Sequence, residues 1–100
     1  MCGIAGILSK EQHKYCSNHI RRMIGIISHR GPDDEGVYCD ENVLLGHKRL
    51  AVLDIKSGHQ PMFSSDKRHI IVYNGEIYNY LDLRRHLEAK GHVCNTHSDT

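Results

Sequence analysis

The sequence contains two kinds of apolar pattern, and their order along the chain constrains the fold more than any other feature. Apolar residues with helical periodicity occupy about residues 11–28, short apolar stretches follow, and a second helical pattern occupies about residues 80–90. Runs of strands between helices are typical of an α+β domain with mainly antiparallel sheets. The sequence therefore predicts the α+β class.

Each predicted helix has recognisable limits. Ser9 lies where the N-cap of the first helix is expected, and Asn79 precedes the second helix, which is expected to end at Gly91. Apolar residues expected to face the core in the first helix recur at i, i+3, i+4 and i+7: Ile20, Met23, Ile24 and Ile27. Those expected to face inward in the second are Tyr80, Leu83 and Leu87.

Short apolar or β-branched runs bounded by turn residues predict the strands. They lie at residues 3–8, 37–39, 43–46, 49–53 and 69–73, and a further strand begins at 93–96. The last strand has no partner after it within the sequence. We therefore expect the 100 residues to be part of a larger domain.

Composition excludes several classes of protein. The chain has 39% hydrophobic and 25% charged residues, which excludes collagen-like, low-complexity and strongly disordered chains. Thirteen basic and 12 acidic residues give a net charge of +1, so charge provides no argument for binding nucleic acid or an acidic membrane. No apolar run approaches the roughly 20 residues of a membrane span, and no secretory signal is recognisable. A cytoplasmic location is expected.

Cys2 directly follows the initiator methionine. Removal of Met1 would leave a thiol and a free α-amine on one residue, and the amine titrates near pH 8. A neutral amine can activate the neighbouring thiol as a base, directly or through one water molecule. The alternative is an incidental cysteine at a frayed terminus. His29 is an alternative base for the thiol.

Asn74 and Gly75 form a dipeptide with two interpretations. Asn-Gly is typical of a two-residue hairpin turn with positive φ. The side-chain amide of Asn74 and the backbone N–H of Gly75 can instead form two convergent donors, as in an oxyanion hole. The local sequence leaves both interpretations open.

Arg49 and Asp99 are candidates for binding an amino acid. An arginine can bind a carboxylate through two hydrogen bonds, and an aspartate can bind an ammonium group. Each residue taken alone is more typical of an exposed charged side chain. Arg30 and Asp33 flank a Gly-Pro turn, and we expect them to have a structural role.

No metal site is predicted. Structural zinc sites usually have two pairs of closely spaced ligands. Cys16 and His19 have that spacing, and we do not expect a second pair to complete the site with them. A zinc-binding module therefore stays a remote alternative.

Six segments together carry a resemblance to a known family. The sequence resembles the start of glutamine-hydrolysing asparagine synthetases, which have a class II, N-terminal-nucleophile glutamine amidotransferase domain. The segments are Met-Cys-Gly-Ile-Ala-Gly at 1–6, His-Arg-Gly-Pro-Asp at 29–33, Arg-Leu-Ala-Val-Leu-Asp at 49–54, Gly-His-Gln-Pro-Met at 58–62, Tyr-Asn-Gly-Glu-Ile-Tyr-Asn at 73–79 and Ser-Asp-Thr at 98–100.

The resemblance implies a four-layer αββα sandwich, of which residues 1–100 are the N-terminal part. It implies that Cys2 is the nucleophile and that Asn74 and Gly75 form the oxyanion hole. Arg49 would bind the α-carboxylate of glutamine, and Asp99 with Glu76 would bind its α-amine and neighbouring groups. The backbone of four further residues would line the pocket: Leu50, Ala51, Val52 and Leu53.

The same resemblance implies partners outside these residues. Ammonia released from glutamine would pass to a C-terminal synthetase domain that uses ATP and Mg²⁺ to convert aspartate to asparagine. No cofactor is implied for residues 1–100 themselves, and a homodimer is compatible with the resemblance. Two alternatives stay open: an amidotransferase of the same superfamily with another ammonia acceptor, or an inactive chain that only binds.

Overall fold

The structure is a computed structural model that describes residues 1–100. It contains two α-helices, one short 3₁₀ helix and five strands, so the predicted α+β class with antiparallel sheets is confirmed. The elements in chain order are β1 (Gly3–Leu8), α1 (Ser17–Ile26), the 3₁₀ helix (Ser28–Arg30), β2 (Asp34–Cys39), β3 (Val43–Arg49), β4 (Met62–Phe63), β5 (Ile70–Ile71) and α2 (Tyr80–Ala89).

Strand β3 is the centre of the main sheet. The strand order is β1-β3-β2, and both neighbours run antiparallel to β3. Gly3 pairs with Lys48, so the beginning of β1 lies beside the end of β3. This register brings Cys2 next to the residues that follow Arg49. Strands β4 and β5 form a separate antiparallel pair in which Met62 lies opposite Ile71.

Helix α1 packs on the main sheet and forms the apolar core with it. Ile20, Ile24 and Leu44 are the buried apolar residues of this core. Gly46 in β3 allows the close approach, since a Cβ there would lie 2.5 Å from Cγ2 of Ile24 and 3.0 Å from Cγ1 of Ile20. Met23, predicted to face the core, is exposed.

The first helix is shorter than predicted. It begins at Ser17 rather than near residue 11, and Cys16 occupies the N-cap position. The backbone N–H of Cys16 donates to Nδ1 of His19 at 3.0 Å, and the Cys16 Sγ lies 3.3 Å from the same nitrogen. Ser9 is not the cap, because its backbone N–H donates to the carbonyl of Asn42.

Two of the predicted strands are wrong and one is shorter. The stretch 49–53 leaves the sheet after Arg49, because the Arg49 side chain bonds to the carbonyls of residues 53–55 and the chain turns back on itself. The stretch 93–96 is not a strand, and 69–73 is reduced to Ile70–Ile71.

Helix α2 has the predicted limits but not the predicted burial. Asn79 is its N-cap residue, although its side chain makes no capping bond, and Gly91 follows the helix with φ 89°. Leu83 and Leu87 are 46% and 45% exposed, so the inward-facing prediction is wrong for these two residues, whereas Tyr80 is half-buried. They line an open cavity of about 290 Å³. Neither helix of the structure has the length and apolarity needed to cross a membrane.

Candidate active site

A cavity of about 430 Å³ lies where the main sheet meets the segment after β5. The beginning of β1, the end of β3 and the chain termini all reach it. Six of the predicted site residues line it together: Cys2, Arg49, Asn74, Gly75, Glu76 and Asp99. Residues far apart in sequence therefore share one concave site, which is typical of ligand pockets.

The Cys2 thiol is held against the residue that follows β3. The backbone N–H of Leu50 donates to the Cys2 Sγ at 3.3 Å, and the thiol lies 3.7 Å from the Leu50 carbonyl oxygen. The Arg30 Nε donates to the Cys2 carbonyl at 3.2 Å, which confirms the predicted structural role of Arg30. His29, the alternative base, is exposed and makes no hydrogen bond to Cys2.

Arg49 is a buried cation with no carboxylate partner. Its side chain is 5% exposed, and no carboxylate lies within 4.0 Å of it. Its Nη2 donates to the carbonyls of Leu53 and Asp54 at 2.6 Å each, and Nη1 donates to that of Ile55 at 3.2 Å. Because an unpaired buried charge is costly, this environment favours an anionic ligand in the cavity.

Two carboxylates complement this cation. The Asp99 Oδ2 accepts a hydrogen bond from the Ile77 backbone N–H at 2.8 Å, which fixes the half-buried side chain at the wall of the cavity. Glu76 lines the same wall and is exposed. One cation and two carboxylates can bind a molecule that carries both a carboxylate and an ammonium group.

Asn74 and Gly75 do not form a hairpin turn. They follow β5, and neither has the positive φ that the predicted turn requires. A Cβ at Gly75 would lie 2.6 Å from the Tyr73 hydroxyl, so a larger residue cannot replace the glycine without displacing that ring. The hairpin interpretation is therefore wrong, and both residues line the cavity.

The loop after β3 lines the cavity with three of its four predicted residues. Leu50, Val52 and Leu53 reach the cavity, whereas Ala51 does not. The Ala51 backbone N–H instead donates to the Asp33 Oδ2 at 2.8 Å. This bond confirms the structural role predicted for Asp33 and corrects the one predicted for Ala51.

Asp54 fixes the far side of the same loop. Its carboxylate accepts hydrogen bonds from the Ser57 hydroxyl at 2.5 Å and from the backbone N–H groups of Ser57 at 3.0 Å and His97 at 2.7 Å. These bonds, that of the Ser57 hydroxyl above all, lower the pKa of Asp54 from 3.8 to about 2. The ionised carboxylate therefore joins the loop to the segment that carries Asp99.

Sequence reasoning gave no individual role to three buried polar residues near the site: His47, Gln60 and Ser98. Gln60 lines the cavity and is 5% exposed. His47 does not line the cavity and is 1% exposed. Burial lowers the pKa of His47, and the nearby positive charge of Arg49 lowers it further, although the bond to the Tyr73 carbonyl opposes the shift. Gln60 lies in the Gly-His-Gln-Pro-Met segment at 58–62, but apolar periodicity gives no signal for the side chain of Gln60 or His47.

The structure contains no group of three or more His, Cys, Asp or Glu side chains placed to hold a metal ion. Cys16 and His19, a pair with zinc-ligand spacing, form the cap of α1. All four cysteines are unpaired.

The chain is similar to known proteins of one family. Residues 1–100 match the family described as a glutamine amidotransferase domain. The chain is 44% identical over its full length to asparagine synthetase [glutamine-hydrolyzing] 1 of Bacillus subtilis, and 48% identical over its full length to asparagine synthetase [glutamine-hydrolyzing] 3 of the same organism. It is 39% identical over 99% of its length to asparagine synthetase [glutamine-hydrolyzing] of Zea mays.

The chain spans only 16–17% of the length of these relatives. The match nevertheless covers every residue that forms the cavity. The chain therefore belongs to the glutamine amidotransferase domain family found in glutamine-hydrolysing asparagine synthetases.

Proposed function

We propose that this chain hydrolyses glutamine to glutamate and ammonia through a thioester on Cys2, as part of an asparagine synthetase. The observation that carries the proposal is the convergence of a thiol, a buried unpaired cation and two carboxylates in one cavity of about 430 Å³. The family match and the names of the relatives support the same activity.

Binding of glutamine uses the charges of the cavity. Arg49 binds the α-carboxylate, since its guanidinium lacks a carboxylate partner within the chain. Asp99 and Glu76 bind the α-ammonium group and its surroundings. The loop residues Leu50 and Leu53 line the cavity beside these charges and exclude water from the substrate.

The reaction begins when removal of Met1 exposes the α-amine of Cys2. The amine takes the thiol proton, and the sulfur attacks the side-chain carbonyl carbon of glutamine. A carbon–sulfur bond forms, and the carbonyl oxygen becomes an oxyanion that accepts hydrogen bonds from the Asn74 amide and the Gly75 N–H. The carbon–nitrogen bond then breaks, and the nitrogen leaves as ammonia with the proton returned by the amine.

Water completes the cycle. The same α-amine takes a proton from a water molecule as its oxygen attacks the thioester carbon. The carbon–sulfur bond breaks, glutamate leaves, and the Cys2 thiol is restored. Each proton removed by the amine is returned, so the cycle needs no cofactor within residues 1–100.

The ammonia supplies a synthetase domain beyond residue 100, which converts aspartate to asparagine with ATP and Mg²⁺. We further propose that the two antiparallel sheets are parts of a four-layer αββα sandwich. A cytoplasmic location and a homodimer stay predictions.

The test is a Cys2→Ala variant of the full-length protein. We expect glutamine hydrolysis to be abolished, while asparagine synthesis from free ammonia, aspartate and ATP persists. Cys39→Ala is the matched control, because Cys39 is exposed in β2 and lies outside the cavity. Glutamine hydrolysis that survives in the Cys2→Ala variant would refute the proposal.

The ammonia acceptor is tested separately. The full-length protein is supplied with glutamine, aspartate and ATP, and the products are separated by chromatography. Formation of asparagine and glutamate in equal amounts supports the synthetase role. Release of glutamate without asparagine would show that another molecule accepts the ammonia.

A further inference from the structure

Two buried polar side chains bind the backbone on either side of Tyr73, immediately before Asn74. The Tyr73 backbone N–H donates to the Gln60 Oε1 at 2.6 Å. On the other side, the His47 Nε2 lies 3.1 Å from the Tyr73 carbonyl oxygen. His47 and Gln60 are 1% and 5% exposed, so both contacts are shielded from water. We call this pair of residues the backbone clamp.

The geometry fixes the tautomer of His47. A carbonyl oxygen can only accept, so Nε2 must carry the hydrogen. Burial lowers the pKa of His47, which keeps the ring neutral and leaves a lone pair on Nδ1. This buried Nδ1 has no hydrogen-bond partner. An unsatisfied buried polar atom costs about 1–3 kcal/mol, so an apolar residue would suit the core better. The bond to Tyr73 is the contact that sets the histidine apart from such a residue.

Gln60 joins the clamp to the opposite wall of the cavity. Its Nε2 donates to the Thr100 hydroxyl at 3.1 Å, and Ser98 bonds to the same hydroxyl at 3.1 Å. Ser98 and Thr100 flank Asp99. One amide side chain therefore connects the segment of Asn74 and Gly75 to the segment of Asp99, and fixes the distance between the two walls.

We propose that His47 and Gln60 are positioning residues that orient the Asn74 amide and the Gly75 N–H toward the developing oxyanion. They act through the Tyr73 backbone and do not touch the reacting atoms. This inference rests on the proposed glutamine hydrolysis. Because the donors of an oxyanion hole act on the transition state, the clamp should affect kcat more than the KM for glutamine.

The experiment compares variants at position 47 in the full-length protein. His47→Leu removes the donor to Tyr73 and also the unpartnered Nδ1. We expect a roughly 10- to 100-fold lower kcat for glutamine hydrolysis, the range expected when a reacting group is displaced by about 1 Å or an oxyanion donor is weakened. The KM for glutamine should change little. His47→Gln, which can still donate an N–H, should recover most of the loss.

Gln60 provides an independent variant. Gln60→Leu removes the contact on the other side of Tyr73 and should also lower kcat. If both residues act through the same backbone segment, the kcat of the double variant should be little lower than that of the more impaired single variant. Losses that multiply would show two independent effects and overturn the shared clamp.

Ammonia-dependent asparagine synthesis is measured in every variant as the internal reference. An unchanged kcat for glutamine in His47→Leu would overturn the proposal. A parallel fall of glutamine- and ammonia-dependent rates would also overturn it, because it would show a general loss of stability. The Cys2→Ala variant tests the proposed hydrolysis, and the His47→Leu variant tests the clamp. Failure of one proposal can therefore be distinguished from failure of the other.

Discussion

At the scale of single residues, the bonds of Arg49 determine the shape of the cavity. Three backbone carbonyls hold its guanidinium and also turn the chain after β3, so the loop of residues 50–55 is folded around this side chain. The group proposed to bind the substrate is therefore also a structural support. A change that moves the guanidinium should alter both substrate affinity and the loop that lines the cavity.

A substitution at Gly58 can displace the Arg49 guanidinium. A Cβ at this position would overlap the Arg49 Nη2 and would lie 2.9 Å from Cζ and 3.0 Å from the Asp54 carbonyl. We expect Gly58→Ala to displace the guanidinium and raise the KM for glutamine about 10-fold or more, the equivalent of one charged hydrogen bond of about 1.5–3 kcal/mol. Steady-state kinetics of glutamine hydrolysis measure this effect.

Gly25→Ala is the control, because nothing lies within 4 Å of a Cβ there. An unchanged KM in Gly58→Ala would show that the guanidinium can shift without losing the substrate carboxylate. It would also contradict the rigid support inferred from the three carbonyl bonds.

Residue chemistry explains why much of the site could be predicted. A thiol at position 2, an arginine and an aspartate each suggest a role from their functional groups alone, and the structure brings Cys2, Arg49 and Asp99 to one cavity. The contributions of Gln60 and His47 could not be predicted, because they depend on bonds to the backbone of Tyr73, far along the chain. No local pattern encodes such a contact.

At the scale of elements, β3 joins the core to the site. Alternate residues of a strand point to opposite faces. Leu44 and Gly46 lie on the face covered by α1, whereas His47 and Arg49 lie on the face toward the cavity. The packing of α1 on one face therefore stabilises the strand that positions the site on the other.

A matched pair of glycine substitutions tests this packing. Gly46→Ala would place a Cβ 2.5 Å from Ile24, so we expect a destabilisation of about 1–3 kcal/mol, typical of an overpacked core. Gly25→Ala lies in open space within α1 and should stabilise by about 0.5–1 kcal/mol. The measurement is the urea concentration at which the full-length protein loses glutamine hydrolysis. Equal midpoints for the two variants would contradict close packing at Gly46.

The elements that could be predicted are those with regular local patterns. The strand at residues 3–8 has the predicted bounds, and α2 begins and ends close to Asn79 and Gly91. The predicted strand at 49–53 failed because the side-chain bonds of Arg49 outweigh the β-propensity of the apolar residues after it. Helix α1 begins at Ser17 rather than near residue 11, because the His19 side chain accepts the backbone N–H of Cys16 and caps the helix there.

At the scale of the whole molecule, the chain has two parts of unequal packing. Helix α1 and the main sheet share the core of Ile20, Ile24 and Leu44, whereas α2 has no buried residue. The radius of gyration is 14.6 Å, larger than the roughly 13 Å of a typical 100-residue domain. The apolar residues of α2 and β4, among them Leu83, Leu87 and Phe63, remain partly exposed.

This difference in packing predicts that, when residues 1–100 are produced alone, α2 opens more easily than α1 and β3. Amide hydrogens in α1 and β3 should exchange slowly, since their opening requires exposure of the core. Those in α2 should exchange orders of magnitude faster, because few buried contacts oppose its opening. Hydrogen exchange followed by mass spectrometry measures both helices in one experiment. The full-length protein provides the comparison, in which apolar contacts from residues beyond 100 should slow the exchange of α2.

The result would also separate two origins of helix stability. Helices of about ten residues are marginal in water and depend on packing of their apolar face. Both helices have ten residues, so their difference in burial is the main variable. Equal protection of α1 and α2 in the isolated chain would mean that α2 is held by contacts other than burial. Slow exchange of α2 only in the full-length protein would place the partner of Leu83 and Leu87 beyond residue 100.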